Sequence, residues 1–125
     1  MIQAAIPVTA SVLQAKAEAL LFAAQVASAL NIQQPSFLTD NSTLALAAAS
    51  NSFDQVPWEI RRHIANFNQS TTSSTAAVYH IKRDLNGVAH NCAHQALRQS
   101  LSQPIHSCSN SAHRNLSCPI LSAVQ

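Results

Sequence analysis

His90 and His94 lie four residues apart in Val88-Ala89-His90-Asn91-Cys92-Ala93-His94. On a helix this spacing puts two imidazoles on one face, as in a two-histidine metal site. Asn91 follows His90 where a metalloprotease would carry glutamate, so that signature is absent. Read more plainly, His90 is a partly exposed helix histidine beside an apolar stripe. Cys108, His113 and Cys118 offer thiolates and imidazole at a spacing that fits no zinc module. Gly87 is the single glycine, which excludes a glycine-rich phosphate loop. No nucleophile, base and orienting group assemble into a triad. Arg61, Arg62 and His63 cluster in one segment, Lys82 and Arg83 in another, and Arg98 stands further on. As bare charges they read as solvated helix faces.

Several elements must position these groups. Residues 11–30 read as a helix with Ser11 as N-cap and Asn31 as stop signal. Val12, Ala15, Ala19, Phe22, Ala23, Val26 and Leu30 recur at helical spacing and predict its buried stripe. Pro35 opens a short strand that ends at Asp40, since proline cannot donate to a ladder. Asp40, Asn41 and Ser42 can shape a turn, and Asn41 and Ser42 can cap a short helix through Ala49. Residues 51–56 read as a loop, and Pro57 suits the first turn of a third helix with Ile60, Ile64 and Phe67 on one face. Trp58 and Phe67 read as core packing rather than stacking platforms for bases. The polar run 68–75 reads as a loop. Residues 76–82 read as a strand rich in strand formers, and 86–101 as a last helix. Ala89, Cys92, Ala93, Ala96, Leu97 and Leu101 make that helix's expected buried stripe. The order of helices and strands indicates an α/β fold.

The totals set the outer bounds. One domain is expected from 125 residues, within 1–101, and residues 102–125 read as a disordered tail. Hydrophobic residues make up 47% and charged residues 10%, which excludes a charge-driven disordered chain. The net charge of +2 permits a nucleic-acid partner without arguing for one. The longest apolar stretch, Ala19 to Leu30, is too short to span a bilayer, so no membrane partner is expected. Three cysteines without regular spacing make a poor disulfide framework and favour an intracellular setting, nucleus or cytoplasm.

Two segments resemble the ribonuclease-H-like domain found in many plant proteins, which is related to the nuclease domain of retroelement reverse transcriptases. One is the alanine-rich helix running into Phe37-Leu38-Thr39-Asp40-Asn41. The other is Tyr79-His80-Ile81-Lys82-Arg83-Asp84-Leu85-Asn86-Gly87-Val88-Ala89-His90. Pro57-Trp58-Glu59-Ile60 resembles the start of the family's third helix. The resemblance covers roughly residues 1–100. It implies a mixed five-stranded sheet flanked by helices, of which this chain would lack most of the first three strands. The strand ending at Asp40 would then have an open edge, and such an edge invites a protein partner or self-association.

The resemblance also implies a chemistry, metal-dependent cleavage of RNA–DNA hybrids by two magnesium ions on a cluster of carboxylates. Asp40 matches the family's third acid. The second is a glutamate in a pattern like Ala15-Lys16-Ala17-Glu18-Ala19-Leu20, where Lys16 takes its place and Glu18 is the alternative. Residues two apart point about 200° apart on a helix, so both cannot face one site. His90 stands at the fourth acid, and the first has no counterpart. Asp40, Glu18 and His90 are thus the candidate catalytic residues, and Asp40 and Glu18 the candidate metal ligands. Arg61, Arg62, Lys82 and Arg83 are candidates for phosphate contacts. The leading expectation is a nucleic-acid-binding domain of the RNA–DNA hybrid class, catalytically degenerate. Two alternatives remain: an active hybrid ribonuclease completed by missing strands, or an α/β interaction module without nucleic acid. A magnesium cofactor belongs to the active case alone.

Overall fold

The computed structural model describes residues 2–3, 11–99 and 105–106. They fall into two compact units, one within Ile6–Asn86 and one drawn from Met1–Ala5 and Gly87–Gln125.

The first unit opens with α1 (Val12–Ala29). Ser11 caps it from extended backbone, its Oγ accepting the Gln14 N–H at 3.1 Å. The same hydroxyl donates to the Glu59 carboxylate at 2.9 Å, tying the start of this helix to a distant turn. At the other end Asn31 adopts a left-handed φ of 56°. Its N–H donates to the Ser28 carbonyl and the Ile32 N–H to the Ala27 carbonyl, each at 3.0 Å. This closes the helix as a Schellman motif, with asparagine tolerating the left-handed position.

β2 (Ser36–Thr39) and β3 (Ala77–His80) pair in parallel, with Phe37 opposite Val78 and Leu38 opposite Tyr79. Phe37 and Val78 pack on the core, and Phe37 meets Phe67 edge-on with ring centres 5.6 Å apart. Leu38 and Tyr79 turn to the other face and are exposed. Between the strands come α2 (Ser42–Ala49) and α3 (Arg61–Ser70). The core joins Ala17, Leu20 and Ala24 of α1, Leu44 and Ala47 of α2, Val56, Ile60, and Ile64 and Phe67 of α3.

Four expectations need correction here. The face of α1 that is buried carries Ala17, Leu20, Leu21, Ala24, Val26 and Ala27, whereas Val12, Ala19 and Ala23 of the expected stripe are exposed. Alanine is so frequent in this helix that several phases look apolar, and the leucines decide among them. Trp58 is 82% exposed and not a core residue. It lies in a 3₁₀ turn, Trp58–Ile60, that precedes α3 and sends Ile60 inward instead. The polar stretch after Phe67 is helical through Ser70, because the Thr71 and Thr72 hydroxyls donate to the Phe67 and Asn68 carbonyls at 3.0 Å each. Residues 53–55, expected as loop, make a 3₁₀ turn.

The second unit contains β1 (Ile2–Gln3), α4 (Gly87–Gln99) and β4 (Ile105–His106). β1 and β4 pair antiparallel, and β1 lies against α4. Ala89 and Ala93, expected on the buried stripe of α4, are exposed; Ala96 is buried and Cys92 half-buried. Alanine methyls bury so little area that nothing compels the first two inward. The side chain of Leu97, and Leu101, lie outside the described residues, as does the expected tail 102–125 apart from Ile105–His106. Among the described residues the architecture is α/β, with one parallel and one antiparallel strand pair in place of five joined strands. No described helix is long and apolar enough to cross a membrane.

Candidate functional site

The end of β2 and the N-terminal half of α1 build the site. Thr39, the last strand residue, is buried, and its Oγ1 accepts the Asn41 N–H at 3.1 Å. Asn41 in turn caps α2, its Oδ1 accepting the Leu44 N–H at 2.9 Å. Thr39 and Asn41 therefore do the work of the turn, and the Asp40 side chain is left for another partner. That partner is Lys16, whose Nζ donates to Asp40 Oδ1 in an ion pair. The Asp40 side chain is only 8% exposed, and that of Lys16 is 35% exposed. The charge-assisted hydrogen bond from Lys16 holds the Asp40 carboxyl below the ordinary carboxylate range; burial opposes this, and a lesser contribution comes from the Asn86 amide. Asn86 closes a 3₁₀ turn, Arg83–Asn86, at the end of this unit. The sequence singled it out only as part of the family motif, without a role.

Glu18 takes another direction. Its Oε2 lies 2.8 Å from Nε2 of His63 on α3. Nδ1 of His63 is enclosed with no partner among the described residues, which favours the tautomer carrying hydrogen on Nε2. Of the two candidates on α1, the structure brings Lys16 to Asp40 and sends Glu18 to α3. The two-residue offset on a helix is the reason. His90 lies on α4, in the other unit, where its ring meets that of His94.

The basic candidates are all exposed. Arg61 is partly committed, since its Nε donates to the Val56 carbonyl at 3.0 Å. Cys108, His113 and Cys118 lie outside the described residues.

The described residues around Asp40 do not fit a magnesium ion. Magnesium needs several hard oxygen ligands in near-octahedral geometry. Among the described residues no three acids, histidines or cysteines gather to hold an ion. Asp40, the one acid at the strand end, already faces an ammonium group that would repel a divalent cation.

Comparison with curated proteins and with solved structures returns no match. A family model described as reverse transcriptase-like matches residues 1–96. With more than three-quarters of its length covered, the chain belongs to the reverse transcriptase-like family of ribonuclease-H-like domains.

Proposed function

We propose that this chain is a nucleic-acid-binding ribonuclease-H-like domain of the RNA–DNA hybrid class that does not cut its ligand. The observation that carries the reading is the Lys16–Asp40 ion pair. Hydrolysis in this fold relies on metal ions that activate a water and steady the leaving oxygen. In this reading Lys16 stands where the family has its glutamate, and its ammonium group supplies the charge that a metal would otherwise bring. Asp40 is left as a structural carboxylate, Glu18 serves the contact between α1 and α3, and His90 replaces a further acid with a softer ligand. Binding falls to Arg62, Lys82, Arg83 and the remaining donors of Arg61, all exposed in the unit that holds Asp40.

Fluorescence anisotropy with a labelled RNA–DNA hybrid tests the reading. Affinity is expected to fall steeply with salt, with a slope of about −0.9 per phosphate neutralised on a log–log plot for duplex DNA, taken as a guide for the hybrid. Arg62→Ala combined with Lys82→Ala should weaken binding and flatten that slope by about one per lost contact. Absence of binding at low ionic strength would sink the proposal. Magnesium-dependent cleavage abolished by Asp40→Asn would favour the active alternative instead. A second reading, self-association through the outer face of the β2–β3 pair, rests on Leu38 and Tyr79 standing exposed side by side on that face. Sedimentation showing concentration-dependent dimers without hybrid affinity would favour it.

A further inference from the structure

We propose that His90 and His94 together bind a borderline transition-metal ion, of the zinc, nickel or copper(II) class. This goes beyond the nucleic-acid reading and does not depend on it.

The two residues sit one turn apart on α4, with ring centres 4.4 Å apart and planes crossed at 70°. Both side chains are exposed, and neither takes part in an ion pair among the described residues. The nitrogens of two ligands on one tetrahedral zinc, each about 2.0–2.1 Å from it, are roughly 3.4 Å apart. Rings this close need only side-chain rotation to bring one nitrogen of each onto a shared ion. The helix backbone has already fixed the spacing, so little ordering remains when the ion arrives.

The ligand type selects the ion. Imidazole suits zinc, nickel and copper, while magnesium prefers hard oxygens. No acid occurs anywhere in α4, so nothing on this helix recruits magnesium or competes for the imidazoles. Cys92 lies two residues from each histidine, about 200° around the helix, and so is turned away from a shared ion. Water completes the coordination. Arg98, one turn beyond His94, is exposed, and solvent ions screen its charge.

Zinc chloride titrated into the full, reduced chain provides the test, read by calorimetry and by the imidazole resonances in NMR. One site is expected in which the His90 and His94 signals move together. Affinity should fall about tenfold or more in His90→Ala and likewise in His94→Ala. Both positions are exposed, so circular dichroism of each variant should match the native chain. Cys92→Ser should bind as the native chain does, and magnesium chloride should leave both imidazoles unmoved. Zinc that binds with equal affinity to the native chain and both alanine variants would overturn the proposal. So would zinc binding that shifts neither imidazole.

Discussion

A Lys16→Met chain should be less stable than the native one by about 1–2 kcal/mol, the range for stranding a buried hydrogen-bonded charge, discounted because the lysine is partly open to water. The loss arises on Asp40, whose nearly enclosed carboxylate is left without its cation. The pH dependence identifies the cause. In the native chain Asp40 titrates below its ordinary range, so its contribution is complete above the unfolded carboxylate pKa, about 3.9, and is lost as pH falls through the lowered folded value. Without Lys16, burial pushes the carboxyl up against only the backbone and Asn86 hydrogen bonds. The slope of stability against pH across the acid range should therefore flatten in the variant. Urea midpoints measured through that range check this. Identical slopes in the two chains would mean that the ion pair contributes nothing. Adding Asp40→Asn to Lys16→Met should recover part of the loss, because the two substitutions act on one interaction.

Ile64→Ala should cost more, about 2–5 kcal/mol. Ile64 is 1% exposed and sits on α3 where that helix packs against α1. The facing residues of α1 include Ala17 and Ala24, which are small and buried. The volume between the helices therefore falls to the large side chains of α3 and its preceding turn, Ile60, Ile64 and Phe67. Removing three carbons there leaves a cavity that the alanines of α1 cannot fill. Trp58→Ala is the matching control, with an expected change within about 0.5 kcal/mol because its side chain stands in solvent. Chemical denaturation of the two variants decides the point. A loss for Ile64→Ala no larger than that for Trp58→Ala would contradict the packing described.

Local signals were legible wherever one residue type has one physical use. Ser11, Asn31, Asn41 and Pro35 mark a cap, a left-handed stop, a second cap and a strand start, and each sits where its chemistry requires. Ile60, Ile64 and Phe67 were readable as one face because polar residues surround them. Alanine blurred the rest. In α1 and α4 it occupies both buried and exposed positions, so periodicity cannot fix the phase of either helix. Trp58 misled because a large aromatic is usually buried, and the short 3₁₀ turn that exposes it has no sequence period to read. At the candidate site Asp40 could be found from its strand-end position. Its pairing with Lys16 depends on which face of α1 meets the end of β2, which is a tertiary matter. The contact between Glu18 and His63 depends on the same rotation of α1, and nothing in the local sequence announces it.

The carboxyl carbon resonance of Asp40, followed by NMR while magnesium is added to the full chain at neutral pH, probes the heart of the matter. A carboxylate that already holds the Lys16 ammonium should give a signal that stays in place through millimolar magnesium. A saturable shift of that signal, accompanied by hybrid cleavage, would show that the lysine yields to the metal and that the chain is an enzyme after all.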